Sequence, residues 1–133
     1  VLLNLGCEKA IVFCKQETAY EITTTTFTYV SEIRNGKVLD YKLDPEEFGM
    51  KLAQPIEIRG GSAKENAGII IDIFKGLKGA KRDVVVFNSA AALYVGNACK
   101  DIKEGIKISE EIIDSGRALE KLEELIKYSM SIQ

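Results

Sequence analysis

The chain opens on Val1-Leu2-Leu3-Asn4-Leu5 and then Gly6. An apolar run stopped by a glycine is the pattern of the last turns of a helix with its C′ residue in the left-handed region. Ala10-Ile11-Val12-Phe13-Cys14 follows, and a short unbroken apolar run with β-branched members predicts a strand buried on both faces of a sheet. A helix entering and a buried strand leaving is α/β grammar. Residues 20–33 contain Thr23, Thr24, Thr25, Thr26, Phe27, Thr28, Tyr29 and Val30, a β-branched and aromatic stretch that favours extended structure. Asn35-Gly36 then separates residues 27–34 from residues 37–43. This is the pattern of a two-residue type I′ hairpin, whose central positions both need positive φ.

Beyond the hairpin the period changes. Asp44-Pro45-Glu46-Glu47-Phe48-Gly49 sets a cap, a proline at the first helical position, carboxylates at the positive end and a glycine stop, which predicts one helical turn. Residues 50–61, with Pro55 and Gly60-Gly61 and no clear period, read as a loop. Ser62-Ala63-Lys64-Glu65 is a capping box opening a helix with Ile70, Ile73, Phe74 and Leu77 on its apolar face. Residues 83–95 combine a strand-like Val84-Val85-Val86-Phe87 with a helix-like Ala90-Ala91-Ala92-Leu93-Tyr94, and their unbroken length favours one fully buried helix. Ile102, Ile106, Ser109 and Ile113 mark a helix closed by Gly116, and Leu119, Leu122, Leu125 and Ile126 mark its hairpin partner. The expected fold class is therefore α/β: a mixed sheet with a buried parallel strand and an antiparallel hairpin, packed by helices.

Composition narrows the chemistry. A chain of 133 residues, 46% hydrophobic and 29% charged, is one domain's worth of material with enough apolar surface for its own core. It contains no histidine, which removes Ser-His and Cys-His catalysis and imidazole metal sites from this chain. Lys+Arg 18 against Asp+Glu 20 leaves no basic excess for a phosphate backbone, so no nucleic-acid partner is expected. Cys7, Cys14 and Cys99 lack CxxC spacing and fit a reduced, cytoplasmic protein with buried thiols. The longest apolar run falls far short of the roughly 20 residues a bilayer needs, so no membrane partner is expected.

Several constellations have both a structural and a chemical meaning. Gly60-Gly61 before a capped helix is a helix-entry turn or a phosphate cradle, without the spacing of a P-loop. Glu110, Glu111, Glu120, Glu123 and Glu124 sit at helix-surface spacing, with Glu123 and Lys127 an i,i+4 pair. Lys75, Lys78, Lys81 and Arg82 complement a helix end or bind an anion. Glu17 and Glu21 lie just past the first strand, where ligands gather in open α/β sheets, and are loop acids or cation ligands.

The order of motifs carries more than any one of them. Leu5-Gly6-Cys7-Glu8-Lys9-Ala10-Ile11-Val12-Phe13, Tyr20-Glu21-Ile22-Thr23, Thr28-Tyr29-Val30-Ser31-Glu32-Ile33 and Leu43-Asp44-Pro45-Glu46-Glu47-Phe48-Gly49 come first. Arg59-Gly60-Gly61, Lys64-Glu65-Asn66-Ala67, Arg82-Asp83, Asn88-Ser89-Ala90-Ala91-Ala92-Leu93-Tyr94-Val95 and Ile113-Asp114-Ser115-Gly116-Arg117-Ala118 follow. This series closely resembles the C-terminal part of the anthranilate phosphoribosyltransferase family, over essentially the whole chain.

The resemblance implies residues 1–133 as a single α/β segment, with the N-terminal helical domain and the first part of the α/β domain lying outside it. It implies phosphoribose transfer from phosphoribosyl pyrophosphate to anthranilate in tryptophan biosynthesis, Mg²⁺ as cofactor, and a full-length homodimer. The family's Gly-rich loop, its Lys-His-Gly-Asn segment and its anthranilate-binding residues lie upstream, so the segment alone is expected to be inactive and no catalytic residue is assigned here. The family's magnesium-binding Asp-Glu pair, after Gly-x, maps onto Thr18-Ala19-Tyr20-Glu21. Glu21 matches as the metal ligand; Tyr20 replaces the Asp and Thr18 the Gly, and a neutral phenol is a poor magnesium ligand. The alternatives are a non-catalytic paralogue acting as a ligand- or nucleic-acid-binding module, and a pyrimidine nucleoside phosphorylase.

Overall fold

The computed structural model describes residues 1–14 and 21–132. Three strands, β1 (Ala10–Cys14), β2 (Thr28–Arg34) and β3 (Lys37–Leu43), form one sheet in that order. Helical segments follow as α1 (Pro55–Ile58), α2 (Ala63–Phe74), α3 (Ala80–Val95), α4 (Ile102–Asp114) and α5 (Arg117–Ser131). The fold is α/β, as the chain predicts.

The turn between β2 and β3 has φ 53° at Asn35 and 68° at Gly36, and the strands pair antiparallel from Thr28 opposite Leu43 to Arg34 opposite Lys37. The expected parallel strand is not found among the described residues: β1 runs antiparallel to β2, with Ala10 opposite Ile33 and Cys14 opposite Tyr29. Its expected burial on both faces is corrected too. Ile11 and Phe13 pack against the core, while Val12 is 49% exposed and Cys14 is exposed. Successive side chains point to opposite faces of a strand, so an unbroken apolar run is divided between them. None of the three cysteines is buried, contrary to expectation; Cys7 and Cys99 are half-buried, and partial burial pushes the Cys99 thiol up.

At the N-terminus the expected helix end is one 3₁₀ turn, Leu3–Leu5, closed by Gly6 at φ 82°. A second 3₁₀ turn, Pro45–Phe48, has Asp44 as its cap, accepting from the Glu46 N–H. Residues 50–61 are not wholly loop, because Pro55 starts the single turn α1, with the Gln54 N–H donating to Glu57 Oε2 at 2.6 Å. In α2 the capping box forms as predicted, and its hydrogen bonds to Ser62 lower the Glu65 pKa. The buried face is turned from the predicted one: Ile73 is buried and Ile69 and Phe74 pack on the core, while Ile70 is 43% and Leu77 61% exposed.

The core joins one sheet face to α3 and α4 through Ile22, Val30, Leu43, Val86, Phe87 and Ile106. Helix α3 covers both halves of the ambiguous stretch and starts earlier than predicted, at Ala80. Helix α4 buries Ile102, Ile106, Ser109 and Ile113 as its spacing predicts. Its Gly105 lies against α3 so closely that a Cβ there would stand 2.8 Å from the Ala90 carbonyl oxygen. Helix α5 has no buried residue, and Leu125 and Ile126 of its apolar stripe are exposed. Among the described residues no helix is long and apolar enough to cross a membrane.

Candidate functional site

Glu21, the predicted metal ligand, is exposed and forms no hydrogen bond or ion pair with any described residue. Its neighbour Ile22 is fully buried in the core. Glu17, Thr18 and Tyr20 lie outside the described residues.

Ile22 is anchored by a side chain from α3. Asn88 Nδ2 donates to the Ile22 carbonyl at 2.7 Å and to the Val84 carbonyl, one turn back, at 2.9 Å. Asn88 Oδ1 accepts from the Ile22 N–H at 3.0 Å. Both main-chain groups of Ile22 are thereby satisfied inside the protein, as buried backbone requires. Sequence reasoning did not single out Asn88 as a functional residue, although a lone amide within an apolar helix signals a buried polar partner.

Downstream the chain is fixed again. The Ala53 N–H donates to the Thr24 carbonyl at 3.0 Å. Thr23 Oγ1 accepts from the Thr25 N–H at 3.1 Å, and the Thr23 N–H reaches Thr28 Oγ1 at 3.4 Å. The threonine run is thus a hydrogen-bonded turn leading into β2 rather than a continuous strand.

A single exposed carboxylate is one hard oxygen ligand of the kind Mg²⁺ takes, completed by water and phosphate oxygens. Among the described residues no group of three acids or cysteines converges on a metal site. Glu21 could thus supply one ligand of a shared ion; among the described residues it is not part of a closed cage.

Several of the other candidates resolve as structure. The Gly61 N–H donates to Asn66 Oδ1 at 2.8 Å, and a Cβ on Gly61 would stand 2.5 Å from Glu65 Oε2, so the glycine pair serves helix entry. Lys81 donates to the carbonyls of Glu57 and Arg59 at 3.1 and 2.7 Å. Arg82 Nη1 and Lys78 Nζ meet Asp114 at 2.7 and 2.8 Å, and hydrogen bonds from both hold the Asp114 carboxyl down at about 2. On α5 the ion pair is Lys121 with Glu124, not the predicted Glu123 with Lys127.

One buried carboxylate went unpredicted. Glu32 on β2 is 3% exposed and accepts from the hydroxyls of Tyr94 at 2.5 Å and Tyr41 at 3.0 Å. Burial and the bond to Glu32 push both tyrosine hydroxyls up, so both stay protonated donors. Lys9 Nζ stands 3.8 Å from the Tyr94 ring centroid and donates to Asn97 Oδ1 at 2.8 Å.

Comparison with known proteins adds an independent observation. The sequence profile of the glycosyl transferase family, a/b domain, matches residues 1–119. The anthranilate phosphoribosyltransferase of Acetivibrio thermocellus is 56% identical over 131 residues, 98% of this chain and 38% of that protein. The crystal structure of anthranilate phosphoribosyltransferase from Thermus thermophilus superposes with TM-score 0.84 at 30% identity, over 96% of this chain and 37% of that one. A variant of the Saccharomyces cerevisiae enzyme with Mg bound gives TM-score 0.81 at 26% identity, over 98% and 38%. The chain thus spans under two-fifths of the length of these relatives.

Proposed function

We infer from one premise, that this chain belongs to the glycosyl transferase family as its a/b domain, that it is the C-terminal part of a Mg²⁺-dependent phosphoribosyltransferase. The substrates are phosphoribosyl pyrophosphate and anthranilate, the product belongs to tryptophan biosynthesis, and the full-length protein is a cytoplasmic homodimer. The observation that supports this most is the 56% identity, spread over 131 residues, with an enzyme of that name.

Within that reaction the described residues have a limited part. Mg²⁺, when bound, offsets the charge that gathers on departing pyrophosphate. Glu21 would hold one of its positions. With no histidine in the chain, no imidazole from this part takes a proton from the amine of anthranilate. That amine is a nucleophile without prior deprotonation, so its attack on the ribose carbon needs little acid–base help.

A chimera tests the assignment. Residues 1–133 are placed on the upstream part of the Acetivibrio thermocellus relative, in place of its matching segment. The chimera should consume anthranilate fluorescence when given phosphoribosyl pyrophosphate and Mg²⁺; the 133-residue chain alone should not. A chimera that folds yet never turns over would favour the non-catalytic paralogue, the reading for which Tyr20 in place of the family's Asp speaks.

A further inference from the structure

We propose that Asn88 is a positioning residue that sets where the Glu21 carboxylate stands toward a divalent cation. The inference rests on the reading of Glu21 as a magnesium ligand, and adds the residue through which α3 controls it.

All three hydrogen bonds of the Asn88 amide go to main-chain atoms, two of them to Ile22. Asn88 therefore recognises a place in the chain, not a side chain. It holds the N–H and the C=O of one residue together, as a neighbouring strand would, at a point where no strand passes among the described residues. The next grip is two residues on, where Ala53 takes the Thr24 carbonyl. Glu21 is thus one peptide unit from a residue that cannot shift without breaking two bonds to α3. A metal carboxylate benefits from such support, because the site loses affinity when a ligand must be ordered on binding.

Asparagine is specified by its two ends. Nδ2 faces two carbonyl oxygens, at 2.7 and 2.9 Å, and needs hydrogens; Oδ1 faces an N–H and needs lone pairs. Aspartate has the same shape but would set an acceptor against both carbonyls. Serine is too short to span both groups of Ile22. Asn88→Asp and Asn88→Ser therefore release Ile22 by different means, one by repulsion and one by absence.

The test uses the ¹⁵N-labelled chimera described above, with Mn²⁺ and inorganic pyrophosphate as probes. Paramagnetic broadening of the Glu21 amide reports ion binding, and hydrogen exchange at the Ile22 N–H reports the anchor. The variants are Asn88→Asp, Asn88→Ser, Glu21→Gln and, as a destabilised control far along the core, Ile113→Val. Both Asn88 variants should speed Ile22 exchange roughly tenfold or more, beyond any change at other core amides. They should also raise the Mn²⁺ concentration for half-broadening about tenfold. Ile113→Val should leave the Mn²⁺ midpoint in place, and Glu21→Gln should abolish the broadening while sparing Ile22 exchange.

If the Asn88 variants lose only stability, as the control does, and keep the Mn²⁺ midpoint, Asn88 is structural and the proposal is wrong. It is equally wrong if both variants unfold the chain. Absent broadening in the unsubstituted chimera, or broadening that survives Glu21→Gln, instead overturns the reading of Glu21, and the Ile22 exchange data show separately whether the anchor exists.

Discussion

Tyr94 on α3 donates its hydroxyl to Oε1 of Glu32 on β2 at 2.5 Å, joining helix and sheet across 62 residues of chain. Glu32 is buried, Tyr41 supplies a second donor at 3.0 Å, and Arg34 Nε stands 3.6 Å away, itself half in solvent. A buried carboxylate is tolerable only while its oxygens are matched by donors.

Tyr94→Phe keeps the ring and removes one of those donors. A hydrogen bond to a charged group contributes about 1.5–3 kcal/mol, so the variant should lose about that much in urea unfolding. Tyr41→Phe, at a half-buried site, should lose less. Equal and negligible losses would show that water or Arg34 satisfies Glu32.

Gly105→Ala tests the approach of α3 and α4. Its Cβ would stand 2.8 Å from the Ala90 oxygen and 2.9 Å from the Ala90 Cα, both backbone atoms that cannot swing aside. Helix propensity alone favours alanine by about 1 kcal/mol. Overpacking, typically about 1–3 kcal/mol, opposes it. The expected outcome is net destabilisation in a denaturant titration, despite the gain in helix propensity.

Acid should act on Asp114. Its carboxyl is held at about 2, against an ordinary 3.8, by hydrogen bonds from Arg82 and Lys78. A depressed folded-state pKa contributes stability that is fully present above the unfolded value and lost as pH falls through the folded one. The difference in thermal midpoint between the parent chain and Asp114→Asn should therefore be constant above about pH 5 and shrink between about pH 4 and 2. High salt should reduce it wherever Asp114 is ionised, because Asp114 is 46% exposed.

Magnesium dependence checks the carried-over acid. In the chimera, Glu21→Gln should raise the Mg²⁺ concentration for half-maximal activity, and Tyr20→Asp should lower it by restoring a pair of carboxylates. An unchanged Mg²⁺ curve in Glu21→Gln would leave Glu21 as a solvated loop acid.

Features written in neighbouring residues were legible from the sequence: the turn at Asn35-Gly36, the caps at Asp44 and Ser62, and the buried face of α4. Each depends on chemistry within one turn of chain. The direction of β1 was not legible, because an apolar run records burial but not which way its partner runs. The exposure of Leu125 and Ile126 was missed for a related reason, since an amphipathic period defines a face without saying what covers it. Glu21 is marked by its place just past the first strand and by the family resemblance, whereas the partner of its anchor Asn88 lies 66 residues away and has no local signature.

Arg82, Asn88 and Tyr94 each bind a different part of the molecule: the end of α4, the chain at Ile22, and the sheet. They are spaced six residues apart, and at about 100° per residue they project from α3 roughly 120° from one another. The helix is thus gripped from three sides. One residue inserted between positions 88 and 94 would turn Tyr94 by about 100° from its place relative to Asn88, and one inserted between 82 and 88 would part Asn88 from Arg82 in the same way. The turn at residues 35–36 can lengthen without disturbing any of these three grips, whereas a residue added between 82 and 94 takes one of them off its partner unless the helix absorbs it in a bulge.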